Sequence, residues 1–184
     1  MSFSNPLLKT CFSLLLIAGL TSCVKDVDLD QAERITLQPD IQVDLLIFDV
    51  DEVDFRDPVT SALKTIIRDT VRLEFLDDDY IQKDLSEVAF SFKYINSFPQ
   101  SFQNRISFLS EDNRVQHQVD FPIAPGTVAN PFTTERIELI EEDQIGVIRR
   151  SIKMAVEIEV VLPYSNPFEG ELTFQSKGLF SFQF

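Results

Sequence analysis

His117 is the only histidine in the chain, so an acid–base centre would have to be built from it and from carboxylates. It is spaced two residues from Val115 and Val119, with Phe121 beyond, and strand alternation turns all four toward the core side. A histidine there serves as a core or edge residue in preference to a general base. Glu157 and Glu159 share one strand face about 6.6 Å apart along the chain, a separation that a glycoside-hydrolysing pair tolerates. Adjacent glutamates on a polar face lack the apolar pocket that raises one carboxyl for acid catalysis. A solvated face accounts for them.

The remaining candidates are aspartates. Asp26, Asp28 and Asp30 have the spacing that opens a calcium loop. That loop needs Gly at its sixth position and Glu at its twelfth, where this chain has Gln31 and Leu37. Asp49, Asp51 and Asp54 in one stretch and Asp77, Asp78 and Asp79 in another are the places where loop carboxylates could gather Ca2+ if backbone carbonyls completed the shell. Their spacing matches no dedicated metal loop, and no cofactor is expected. The chain has no G-x-S-x-G and no glycine-rich phosphate loop, which argues against nucleotide binding.

The elements that must position these groups are strands. Ile41, Val43, Leu45 and Ile47 alternate, and Ile35 with Leu37 suggests a shorter strand ahead of them. Val71, Leu73 and Phe75 alternate, as do Val88, Phe90, Phe92 and Tyr94. Ile106 and Phe108 pair across a turn at 111–113 with Val115 to Phe121 as a hairpin. Ile137 and Leu139 suggest a short strand. Met154, Val156, Ile158, Val160 and Leu162 form the longest run. Two last strands are expected near 172–174 and 180–184. Val59, Leu63, Ile66 and Ile67 take the spacing of a short amphipathic helix, and Ile145, Ile148 and Ile152 that of a helical turn. The acidic stretch from Asp49 to Asp57 is expected to be a loop. The segments Tyr94-Ile95-Asn96-Ser97-Phe98 and Tyr164-Ser165-Asn166-Pro167-Phe168 each follow a strong strand, through internal duplication or through shared turn chemistry.

This pattern predicts an all-β fold: a single antiparallel β-sandwich, Ig-like or related, of eight to ten strands with one or two short helices. A β-barrel is the alternative. The tail Phe180-Ser181-Phe182-Gln183-Phe184 resembles the closing strand of outer-membrane barrels. Those barrels carry girdles rich in Trp and Tyr, whereas this chain has three Tyr and no Trp among its 184 residues. The 17 Phe lack the polar handle of Trp and Tyr and are expected in the core.

Chemistry of another kind is written at the start. Lys9 is the sole charge before Cys11 to Leu20, an apolar run about half the length of a membrane span. It closes on Leu20-Thr21-Ser22-Cys23, which resembles the lipobox of bacterial lipoproteins. The resemblance implies that 1–22 is a removable signal peptide and that Cys23 becomes the acylated first residue, carrying a diacylglyceryl and acyl anchor. Val24, where an aspartate would resemble an inner-membrane retention signal, favours the outer membrane. Lys25-Asp26-Val27-Asp28 is similar to the export signals of Bacteroidota surface lipoproteins. The chain as a whole resembles the small β-rich lipoproteins of that phylum.

The expected organisation is therefore signal 1–22, acidic tether 23–33 and one domain over 34–184. Loss of Lys9 takes the net charge from −14 to −15, a field that repels phosphate backbones, so nucleic acid is not an expected partner. With Cys11 removed and Cys23 acylated, no thiol is left for a disulfide, a nucleophile or zinc. The expected function is non-enzymatic: a cell-envelope protein, lipid-anchored in the outer membrane and facing the periplasm or the surface, that presents its sandwich to a protein or envelope component. A carrier of a hydrophobic small molecule or lipid is the second expectation and a hydrolase the third.

Overall fold

Among the described residues, eight strands form two four-stranded antiparallel sheets. They are β1 (Asp40–Asp51), β2 (Ile66–Arg72), β3 (Leu85–Asn96), β4 (Phe102–Leu109), β5 (Val115–Ile123), β6 (Phe132–Ile140), β7 (Lys153–Val160) and β8 (Glu171–Phe182). The computed structural model describes residues 38–162 and 167–184. The signal segment, Cys23, the tether, the expected strand at Ile35 and Leu37, and much of the second half of the repeat comparison lie outside the described residues. The first sheet runs β1-β8-β3-β6 and the second β2-β7-β4-β5. That is the strand order of an eight-stranded jelly roll, a β-sandwich related to the Ig arrangement with different connections. The sheets face each other and do not close into a barrel. Leu37–Phe184 is one compact unit.

Alternation builds the core. Phe90, Phe92 and Tyr94 of β3 and Phe174, Phe180 and Phe182 of β8 point inward, opposite Phe102, Ile106 and Phe108 of β4 and Met154, Val156, Ile158 and Val160 of β7. Phe90 meets Phe108 across the sandwich at a ring separation of 4.5 Å, and within the first sheet Tyr94 meets Phe174 at 4.6 Å. Large rings on the first sheet pack against a mixture of rings and aliphatic side chains on the second. The Tyr94 hydroxyl donates to Asn104 Oδ1 at 2.6 Å, which joins the two sheets through a buried polar pair. Burial pushes the Tyr94 phenol well above its ordinary value.

Several local expectations are corrected. The helix expected over 59–67 is absent. The Asp57 carboxylate accepts from the backbone N–H of Val59 and Thr60, Ser61 takes φ 54°, and Ile66 and Ile67 join β2 against β7. Branched residues beside a competing Asp cap favour the strand. The strand expected at Val71, Leu73 and Phe75 stops at Arg72. A 3-10 turn, Glu74–Asp77, and the short helix α1, Asp79–Asp84, follow it. In β1 the register slips between Asp44 and Leu46, where Ser176 Oγ accepts from Leu46 N–H at 3.0 Å. This bulge turns Phe48 and Val50 toward the core and leaves Ile47 59% exposed. Asp49 and Asp51 belong to β1 and not to a loop. The two strands expected at the C-terminus are one, β8. The helical turn at 145–152 condenses to α2, Gly146–Arg149, with Ile145 and Ile148 buried.

Candidate functional site

Chain direction sorts the loops. Strands β1, β3, β5 and β7 all finish at one end of the sandwich, so the connections after Asp51, Asn96, Ile123 and Val160 gather there. The chain enters β1 at Asp40, opposite Ser181 of β8, at the other end. A twelve-residue strand separates these ends by about 36 Å.

The loop end is built around Phe55. Its ring is fully buried and packs on Phe98, Phe102 and Phe168 at 5.8, 5.5 and 5.2 Å. Pulling Phe55 inward leaves its polar neighbours outside. Asp51 Oδ1 accepts from Val53 N–H at 2.7 Å and from Asp54 N–H at 3.3 Å, while Asp54 Oδ2 accepts from Asp51 N–H at 3.1 Å. These are Asx turns, in which carboxylates replace backbone acceptors. Asp57 does the same, and the N–H groups of Thr60 and Val59 hold its carboxyl below the usual range.

The neighbouring connections are fixed as firmly. The buried Asn96 amide donates to the carbonyls of Gln100 and Ala124, and Asn96 Oδ1 accepts from Phe98 N–H at 2.8 Å. Gly126 lies so close that a Cβ there would fall 1.9 Å from the Asn96 carbonyl oxygen, so only glycine fits. Gly170 takes φ 152° against Phe98 and donates to Glu52 Oε2 at 3.4 Å. Ser97 Oγ accepts from Glu171 N–H at 2.7 Å. Together these loops border an open cleft of about 560 Å³ lined by Asp49, Asp51, Glu52, Asp54, Glu169 and Glu171, with Ser97 and Val128. The surface is strongly acidic.

The structure therefore brings Asp49, Asp51 and Asp54 into one cleft. It places Asp77, Asp78 and Asp79 at the opposite end, where Asp77 lies 3.7 Å from Arg72 and Asp79 lies 3.7 Å from Lys83. No group of three His, Cys, Asp or Glu among the described residues is arranged to hold a metal ion. In the cleft, two of the three aspartates already serve the turn.

His117 is half-buried at the seam between β5 and β6, with Nε2 3.1 Å from Glu138 Oε1, while Arg136 donates to Glu138 Oε2 at 3.1 Å. Its ring lies 6.2 Å from that of Phe108. It is an edge histidine linking the two sheets. Val115 does not share its face: the register slips between Phe108 and Leu109, and Val115 is 57% exposed.

The two glutamates part company. Glu159 is exposed, as a solvated face requires, but Glu157 is 8% exposed, and this corrects the shared solvated face. Pairing aligns Arg68, Glu157, Arg105 and Asp120 in one row across β2, β7, β4 and β5. Arg68 donates from Nε to Glu157 Oε2 at 2.8 Å and pairs with the same oxygen through Nη2. Arg105 donates to Glu157 Oε1 at 3.0 Å and to Asp120 Oδ1 at 2.9 Å. The Asp120 partner holds the Arg105 guanidinium above its ordinary value. Both Glu157 oxygens are thus engaged in a cross-strand charge ladder. Arg68 escaped the sequence reading because it lies just past the expected helix. The alternation Ile67-Arg68-Asp69-Thr70-Val71 was the available signal.

The ladder gives a stability prediction. Glu157→Gln removes the carboxylate that two guanidiniums share and is expected to lower unfolding free energy by about 1–2 kcal/mol. Glu159→Gln changes it by less than about 0.5 kcal/mol. Urea titrations of both variants check this, and equal effects would contradict the ladder.

No protein-family model matches the sequence, and no curated protein matches it. Among solved structures the chain is similar to the VP2 subviral particle of infectious bursal disease virus, with a TM-score of 0.48 and 6% identity over 78% of this chain and 32% of that one. It is similar to a protein of Parabacteroides distasonis described as secreted, with a TM-score of 0.45 and 14% identity over 62% of this chain and 37% of that one. It is also similar to the Desmodium yellow mottle tymovirus structure, with a TM-score of 0.32 and 9% identity over 80% and 90%. The chain spans about a third of the length of the first two.

Proposed function

We propose that this chain is a non-enzymatic envelope protein, acylated on Cys23 and held in the outer membrane, which offers the acidic loop end of its jelly roll to a partner bearing a basic patch. The observation that carries the proposal is polarity: the chain enters the sandwich at Asp40, and the acidic cleft forms at the far end of β1. The cleft therefore lies about one strand length from the point where the chain enters the domain. Local contacts support a binding role, because the Phe55 packing and the Asn96 and Gly170 hydrogen bonds hold the loops that carry the carboxylates. His117 and Glu157, on which a hydrolase would have to draw, are committed to Glu138 and to two arginines. A carrier within the sandwich would displace rings that already touch, such as Phe90 and Phe108.

Site-specific photo-crosslinking in intact cells tests this. A crosslinker at Val128, 75% exposed beside the cleft, is expected to capture a partner in a salt-sensitive manner. One at Glu142, at the end where the chain enters, is not. Reversing the charge of Asp49 and Glu169 together is expected to abolish the Val128 product. Equal capture at both ends, or capture indifferent to the reversal, would count against the proposal.

A further inference from the structure

At the end opposite the acidic cleft, several arginines gather. The chain has nine arginines against a net charge of −14, and four of the nine, Arg72, Arg114, Arg149 and Arg150, line one cleft of about 700 Å³. Its carboxylates are Asp77, Glu111 and Asp112. Arg72 engages two of them, donating to Glu111 Oε2 at 2.7 Å and lying 3.7 Å from Asp77. Asp112 is the third carboxylate of the lining.

The other three arginines are held differently. Arg149 is fixed as part of the wall: Nη2 donates to the carbonyls of Lys83 and Leu85, and its buried Nε has no partner among the described residues. Gln116 holds the Arg150 side chain and touches Arg114 only at its main-chain carbonyl. Its Oε1 accepts from Arg150 Nε at 3.0 Å, and its Nε2 donates to the Arg114 carbonyl at 3.3 Å. With Nε engaged, Arg150 is oriented while its two Nη groups have no partner among the described residues, and the whole Arg114 guanidinium likewise has none. Each guanidinium lining the cleft presents paired N–H donors, which match an oxyanion with several acceptor oxygens. We propose that this cleft binds a phosphate group, with Arg114 and Arg150 as the ligating residues and Gln116 as the residue that positions Arg150. The strongly negative chain disfavours diffuse attraction of anions. Binding there would be local and would be independent of whether Cys23 is acylated.

Isothermal titration of the full mature chain in neutral detergent, with inorganic pyrophosphate at low salt, is expected to saturate at one site and to weaken as salt rises. Arg114→Gln and Arg150→Gln are each expected to weaken it about tenfold with an unchanged thermal midpoint of the free protein. Arg68→Gln, on the outer face of the second sheet, is expected to leave it intact. Arg114 is exposed and unpartnered among the described residues, so its variant tests the site even if Arg150→Gln fails to fold. A parallel titration with glycerophosphoglycerol identifies the source. Tighter binding of this diester assigns the phosphate to a lipid headgroup, and tighter binding of pyrophosphate assigns it to a free phosphate. Absence of saturation with both compounds, or an equal loss in Arg68→Gln, would overturn the proposal.

Discussion

Cys23→Ser is expected to move the protein from the membrane fraction to the soluble fraction and to abolish incorporation of labelled palmitate. The size of the effect follows from hydrocarbon transfer. At about 0.8 kcal/mol per methylene, one acyl chain of about 16 carbons contributes roughly 12 kcal/mol. Two or more chains make release from a bilayer negligible on a cellular timescale. None of the described helices is long and apolar enough to cross a bilayer. Phase partitioning in a detergent that clouds on warming, read beside palmitate labelling, checks the prediction. A Cys23→Ser protein that still partitions with detergent would sink the anchor. The acidic cleft would survive that result.

Phe90→Ala is expected to destabilise the domain by about 3–5 kcal/mol, the range for deleting a buried aromatic ring and leaving a cavity. Phe90 is fully buried, and its ring touches Phe108 of the facing sheet at 4.5 Å and lies 6.0 Å from Phe180 and 6.1 Å from Phe92. The loss is a large share of the roughly 5–15 kcal/mol that typically separates folded from unfolded domains. The described domain contains no cysteine, so no disulfide offsets it. Ile137→Ala, at a site 69% exposed on the outer face of β6, is expected to cost less than about 0.5 kcal/mol. Chemical denaturation of both variants is the measurement. A loss under about 1 kcal/mol at Phe90 would mean that the ring is not part of a filled core, and the carrier of hydrophobic molecules would return as the better account.

The sequence by itself determined the class of fold, the inward faces of β3 and β7, the β4–β5 hairpin, and the acidity of the loop after β1. All of these follow from near neighbours along the chain: alternation states which side chains seek an apolar layer, and Asp clusters state where the chain turns. Tertiary structure decided the rest. Ile66 and Ile67 have helical spacing, yet they became strand because β7 lay beside them to take their backbone hydrogen bonds. Ile47 left the core because Ser176, 130 residues away from Leu46, fixes the bulge. Glu157 is buried because its partner Arg68 lies 89 residues before it. Four arginines meet in one cleft, and six carboxylates in another, because the jelly-roll order brings separate loops to the same ends. Periodicity records the environment a residue prefers. It does not record which distant strand supplies it, and charge pairs and clefts depend on that choice.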